Sequence, residues 1–356
     1  MASQARFWQE TEDWHTAGEP FRIVEQLPEN TLQPGLSVSE QRLHILRTPG
    51  HPLDTLRRTL CHEPRGHADM YGGFITPPND PGAHFGVMFW HKDGFSTACG
   101  HGTIALGYWA VSKGMVQLPQ GDGEIEVVID VPSGRVKALA HYRNSKVQHV
   151  DFVNVASYQV AKRMPANVQL DTEAVELEMD FTFGGAIYAC VDVANLGLEV
   201  EPGNYQRFID LQRQIKCQYA EFQYLDVYDI YGVCFFQHMR DEPSDGQITQ
   251  KNVVVFADGQ IDRSPCGSGT AARVAVLFAE GRLQGSKKLG HYSLIGTLFE
   301  AGISSLPFED SELPATVQGG EFPVCVPYVR GTANLVGRMN FYIDPSDSIY
   351  PGFILR

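Results

Sequence analysis

Apolar positions along this chain come in short runs closed by turn residues, and two of those runs recur in the same setting. Gly86 to Trp90 is followed by Asp93-Gly94, and Asn252 to Phe256 by Asp258-Gly259, which predicts a strand and a tight turn each time. A segment of small and apolar residues comes next and ends at Gly114 or Gly281, the pattern of a buried helix with glycine at its C-terminal stop. Elsewhere the alternation is weaker. Leu43, Leu46, Leu53, Leu56 and Leu60 among charges, interrupted by Pro49-Gly50 and Pro52, predict a broken pair of amphipathic helices over 39–60. Residues 13–20 read as a loop leading into a strand at Phe21 to Val24. Glu124 to Val131 and Arg135 to His141 read as a hairpin around Pro132-Ser133-Gly134, followed by a strand at Val147 to Val155. Glu173 to Val191 supplies strands around Gly184-Gly185, and 203–219 reads as helix. Strand-like segments at 291–303, 322–329 and 334–343 follow, with breaks at Gly296 and Gly319-Gly320. The class is α/β with mixed sheets.

The two recurring units share more than hydropathy. Cys99-Gly100-His101-Gly102-Thr103-Ile104-Ala105 and Cys266-Gly267-Ser268-Gly269-Thr270-Ala271-Ala272 agree at five of seven positions, 167 residues apart. Each places a cysteine at a glycine-rich helix start. Backbone N–H groups there have no helical partner, and the helix dipole adds positive potential, so a carboxylate fits. The same field is expected to lower a thiol pKa and to make each cysteine a base. Duplication predicts two similar α/β halves, 1–155 completed by 334–356 and 156–333, related by a pseudo-twofold axis. One small ligand would sit between two thiols in the cleft.

Composition narrows the partner. The 356 residues carry a formal net charge of −14 and no basic cluster, which argues against nucleic acid and anionic membranes. Seven cysteines without C-x-x-C spacing suit reduced thiols. The first residues lack an apolar signal core, and no run of about eighteen apolar residues occurs, so a soluble, cytoplasmic protein is expected. His62, His67 and Asp69 match no standard metal spacing, and neither a Walker nor a dinucleotide glycine pattern fits, so no metal and no cofactor are expected. The surroundings of the cysteines match neither large thiol-protease signature.

Three positions read two ways. His15 is either a hydrogen-bonded loop histidine or a wall of the cleft. The segment Glu63 to Gly73 is either a solvated, salt-bridged corner or brings Tyr71 into the cleft. Asp262, four residues before Cys266, either caps the helix or binds a substrate ammonium.

Cys99-Gly100-His101, Asp262-Arg263-Ser264-Pro265-Cys266-Gly267-Ser268-Gly269, Glu63-Pro64-Arg65-Gly66-His67 and His15-Thr16-x-Gly18-Glu19-Pro20 together resemble the proline racemase superfamily over nearly the whole chain. That superfamily includes hydroxyproline epimerases and trans-3-hydroxy-L-proline dehydratases. The resemblance implies a diaminopimelate epimerase-like fold, mixed sheets wrapped around a central helix in each half, the active site between the halves, no cofactor, and a homodimer. It implies Cys99 and Cys266 as opposed acid/base residues. The N–H groups of Gly100, His101, Gly267 and Ser268 would hold the substrate carboxylate, and Asp262 the ring nitrogen. Two cysteines point to a racemase or epimerase of proline or hydroxyproline. Asp69-Met70-Tyr71-Gly72 and Ile230-Tyr231-Gly232-Val233 resemble the dehydratase branch instead, which is the alternative activity. Phe256 resembles racemases and dehydratases, and Asp229 stands where 4-hydroxyproline epimerases carry a histidine. A third reading, from another class, is a noncatalytic imino-acid-binding or redox-sensing protein.

Overall fold

The computed structural model describes residues 5–239, 247–306, 313–314, 317–318 and 320–355. The chain divides into two compact units, the first of residues up to Val150 together with Thr332 onward, the second Asp151–Gly331.

Unit 1 opens with a hairpin of β1 (Phe7–Thr16) and β2 (Glu19–Val24). Its two-residue turn, Ala17-Gly18, has φ of 52° and 96°, the left-handed pair that a right-twisted hairpin needs. Helices α1 (Val38–Arg47) and α2 (Pro52–Cys61) follow; Ser37 and Glu40 form a capping box on the first, and Pro52 opens the second. Next come β3 (Tyr71–Thr76), β4 (Phe85–His91), the short β5 (Gly94–Phe95), α3 (Gly100–Ser112), β6 (Gly123–Val131), β7 (Gly134–Arg143) and β8 (Lys146–Val153), the last running into unit 2. Unit 2 contains β9 (Ser157–Leu170), β10 (Glu173–Phe183), β11 (Ile187–Asp192), α4 (Tyr205–Gln218), β12 (Ile230–His238), β13 (Ile248–Phe256), β14 (Gln260–Ile261), α5 (Gly267–Ala279), β15 (Leu289–Tyr292), β16 (Leu298–Ile303), β17 (Val324–Cys325) and β18 (Pro327–Gly331). The chain then returns to unit 1 as β19 (Ala333–Ile343), antiparallel to β1.

The duplication is topological as well as local. From β1 through β2, β3, β4, β6 to β7, neighbours pair antiparallel, parallel, antiparallel, parallel, antiparallel. From β10 through β11, β12, β13, β15 to β16 the order of senses is the same. Within unit 1, α3 packs against β1, β2, β7 and β19, which includes both flanks of the sheet, so the sheet curls around the helix. Within unit 2, α5 packs against β9, β10, β11, β16, β17 and β18. Both helices are buried nearly all round, as apolar residues on every face require. Each ends before a glycine in the left-handed region, Gly114 (φ 69°) and Gly281 (φ 70°).

One expectation is corrected, and one strand went unforeseen. Residues 13–16 are strand, not loop: β1 is charged but pairs its charges, Asp13 with Arg22 at 2.7 Å and Glu12 with Lys113 at 2.9 Å, so it can be buried. The long β9 was not legible, because it carries Pro165 and its pairing with β10 is irregular. The break expected at Gly296 (φ 84°) is the turn between β15 and β16. Gly319 lies outside the described residues. Among the described residues no helix is long and apolar enough to cross a membrane.

Candidate active site

In unit 1, Cys99 is the N-cap of α3. Its Sγ accepts the Gly102 N–H at 3.2 Å, and its carbonyl accepts the Thr103 N–H at 3.0 Å. The N–H groups of Gly100 and His101 make no hydrogen bond among the described residues. A side chain on Gly102 would sit 2.8 Å from the thiol and 2.5 Å from the Phe21 ring, so only glycine lets the turn close this tightly on sulfur. The His101 ring lies 3.4 Å from Cys99 Sγ through Nδ1 and packs edge-on to Tyr71, with centroids 5.0 Å apart. Burial pushes this imidazole down to about 3, against a bond to the Pro20 backbone, so it is neutral at physiological pH. Thr16 Oγ1 donates to the His101 carbonyl at 2.8 Å, and Tyr71 and Ser96 share a hydroxyl–hydroxyl bond. Of the segment expected as a solvated corner, Ala68 to Tyr71 are buried. His15 sits in β1, its Nδ1 accepting the Gly18 N–H at 3.3 Å.

Unit 2 repeats the arrangement around Cys266, the N-cap of α5. Sγ accepts the Gly269 N–H at 3.3 Å and the carbonyl takes the Thr270 N–H at 2.8 Å, while Gly267 and Ser268 keep N–H groups without a bond among the described residues. Cys266 has φ 61°, a left-handed conformation that a side chain adopts at a cost and that is held here from both sides. Asp262 does not cap the helix. Its Oδ1 accepts the Ser264 N–H (2.8 Å) and hydroxyl (2.7 Å), and Ser264 Oγ in turn accepts the Cys266 N–H at 3.0 Å. Behind the turn, Asn252 Nδ2 donates to the Pro265 carbonyl at 2.8 Å, and Thr270 Oγ1 lies 2.9 Å from His291. Tyr188 bonds Ser268 Oγ at 2.7 Å and lies 3.9 Å from Cys266 Sγ; Tyr231 stacks on Phe256 at 5.7 Å.

The electrostatics of the second turn reverse one expectation. Burial, reinforced by the nearby Asp262 carboxylate, pushes the Cys266 thiol well above its ordinary value, and the Gly269 N–H offsets only part of this. Desolvation outweighs the helix terminus. Burial also raises Asp262, to about 6, against the bonds from Ser264.

Thus the expected residues fall into two sets, Tyr71, Cys99, Gly100 and His101 in unit 1, and Phe256, Asp262, Cys266, Gly267 and Ser268 in unit 2. Reading the sequence by motif missed Ser96, Tyr188, Asn252 and His291. It noted Tyr231 only within a motif and passed over the echo that pairs it with Tyr71: Asp69-Met70-Tyr71-Gly72 recurs as Asp229-Ile230-Tyr231-Gly232. In β3 and β12 these glycines pair with Trp90 and Phe256 respectively.

The family sequence model described as proline racemase matches residues 12–354. A trans-3-hydroxy-L-proline dehydratase of Bacillus cereus is 37% identical, with 97% of each chain covered. A 3-hydroxyproline 2-epimerase of Burkholderia multivorans is also 37% identical, covering 97% of this chain and 98% of the relative. Among solved structures, a hydroxyproline epimerase from Agrobacterium vitis with bound trans-4-hydroxy-L-proline superposes with a TM-score of 0.82 at 25% identity, covering 99% of this chain and 97% of that one. With a family match over nearly its whole length, two such relatives and the duplicated thiol-capped helices, the chain is an enzyme of the proline racemase family.

Proposed function

We propose that the protein moves a proton at Cα of a proline-type imino acid without a cofactor, epimerising 3-hydroxyproline or a related substrate through Cys99 and Cys266. The observation that carries this reading is the matched pair of turns. Each has a thiol as helix cap, with two N–H groups beside it that no acceptor among the described residues takes. Loss of the Cα proton builds negative charge on the substrate carboxylate, and N–H groups aimed at it stabilise that charge more in the transition state than in the ground state. Inversion needs a base on one face and an acid on the other, so the reading requires a single ligand to reach both turns. Asp262 is the partner for the ring ammonium. Once neutralised by that cation, it no longer opposes ionisation of Cys266, which couples substrate arrival to formation of the base.

A second reading, elimination of water from trans-3-hydroxy-L-proline, is favoured by the dehydratase relative at 37% identity. It needs a thiolate on only one face. Incubation with L-proline, trans-4-hydroxy-L-proline and trans-3-hydroxy-L-proline in D2O distinguishes the two. Deuterium at Cα with inversion marks the epimerase, and loss of water marks the lyase. No exchange and no elimination with any of the three would refute both readings.

A further inference from the structure

The two units differ in what stands beside the sulfur. In the repeated stretch, the position two after the cysteine is His101 in unit 1 and Ser268 in unit 2. The imidazole reaches the thiol of its own turn, with Nδ1 3.4 Å from Cys99 Sγ. Serine has no ring to offer, and its hydroxyl bonds Tyr188 instead, at 2.7 Å. Tyr188 comes from β11, which packs against α5, and the same phenol oxygen lies 3.9 Å from Cys266 Sγ. Two side chains of unit 2 fill the place that one fills in unit 1.

Three ionisable side chains of unit 2 bear directly on this sulfur. Asp262, ahead of the helix, opposes its ionisation, Cys234 of β12 interacts with it, and the Tyr188 hydroxyl favours the thiolate together with the Gly269 N–H. Arg263 acts through Asp262, and Cys190 and Arg273 act through Cys234. Burial, reinforced by the Cys266 sulfur and by Tyr231, holds the Tyr188 phenol well above its ordinary value, so it stays a hydroxyl at any pH where Cys266 titrates. A hydroxyl can donate and accept at once. While Cys266 is a thiol, the bond to Ser268 Oγ satisfies Tyr188. Once the sulfur carries charge, the Tyr188 O–H has a stronger acceptor in reach, and the Ser268 hydroxyl can donate to the phenol oxygen in its turn. Two hydroxyl hydrogens change partner and both bonds are kept.

We propose that Tyr188, backed by Ser268, is a positioning residue for Cys266, its hydroxyl swinging from Ser268 to donate to the sulfur when Cys266 is a thiolate. It is the counterpart in unit 2 of the His101 ring in unit 1. The proposal deepens the reading of Cys266 as a base and rests on it.

Iodoacetamide labelling of the full chain, with Cys266 followed by peptide mass spectrometry from neutral to alkaline pH, tests it, because only the thiolate attacks and the rate rises with its fraction. Asp262, raised to about 6, is charged throughout this range and is a constant background. In Tyr188→Phe the rising limb should move to higher pH by about one unit or more, slowing labelling at pH 8 about tenfold, the scale of a hydrogen bond to a charged group. A structural role alone would change the rate at every pH and leave the limb in place, and an unmoved limb would overturn the proposal. Should Tyr188→Phe misfold by circular dichroism, 3-fluorotyrosine at position 188 carries the test. Its more acidic hydroxyl is a stronger donor of nearly the same size, so the limb must move to lower pH, and an unmoved limb there overturns the proposal equally. Labelling needs no turnover. Failure of every imino acid to exchange or eliminate would therefore sink the assigned reaction while leaving the result on Tyr188 standing.

Discussion

Asp262 is buried, bonded by Ser264 and by the Cys266 thiol, and raised to about 6 by desolvation, so its charge is present above that pH and lost below it. If it receives the substrate ammonium, kcat/KM should fall about tenfold per pH unit below 6. Asp262→Asn should lower kcat/KM by ten- to hundredfold at pH 8, about what a charge-assisted bond contributes, and remove the acidic limb. An acidic limb that persists unchanged in the variant assigns it to another group. Cys266→Thr separates the reactions: two-sided inversion should drop by at least about a hundredfold, the scale of a lost general acid or base, whereas one-sided elimination on Cys99 should survive. Inversion at the wild-type rate in Cys266→Thr would refute the two-thiol mechanism. These cysteines and His101 stood out because they are adjacent in sequence to the glycines that shape their turns, and Asp262 because it lies four residues before Cys266. Tyr188, Ser96 and His291 were not, since each meets its turn from an element distant in sequence. The direction of the Cys266 pKa was also beyond sequence reasoning, which sees the helix terminus but not the desolvation opposing it.

At the level of elements, each cysteine turn depends on close approach between a helix start and a neighbouring strand or turn. A side chain on Gly102 would meet the Phe21 ring at 2.5 Å, and one on Gly184, in the β10–β11 turn, would lie 2.7 Å from the Ser268 carbonyl and 2.8 Å from the Ala272 nitrogen. Gly102→Ala should therefore destabilise the protein by about 1–3 kcal/mol, the range for overpacking, while displacing Cys99 Sγ enough to depress kcat. Thermal denaturation and steady-state kinetics measure the two effects. A variant with unaltered midpoint and activity would mean that the first turn tolerates a wider approach than its geometry indicates. The buried helices α3 and α5 were readable because small and apolar residues fill every face between a cysteine and a stop glycine. β1 and β9 were not, because their charges and proline break the alternation, and only tertiary partners such as Arg22 make burial possible.

For the whole molecule, the duplication was visible as seven residues repeated and proved to extend through the order and sense of the strands. The repeats have diverged in their buried titratable groups, and this predicts unequal acid stability. Burial lowers His101 to about 3 in unit 1 and His291 to about 3 in unit 2, so each contributes stability that is present above pH 6.5 and lost as pH falls toward 3. Each such proton costs up to about 1.4 kcal/mol per pH unit. Desolvation likewise lowers His51 and His62, both in unit 1, adding to its loss. Unit 2 has an opposing group: Asp262, raised from 3.8 to about 6, costs stability above that window and returns it as pH falls from 6 to 3.8, offsetting His291. Unit 1 has no such offset among its resolved shifts. Hydrogen exchange, corrected for intrinsic rates and followed from pH 7 to 4.5, should therefore lose protection first in β1–β7 and α3, with β10–β16 and α5 holding longer. In Asp262→Asn the offset disappears, and unit 2 should lose protection at a higher pH than in the wild type, closer to unit 1. Simultaneous loss in both units of the wild type, or earlier loss in unit 2, would contradict this assignment of the buried protons.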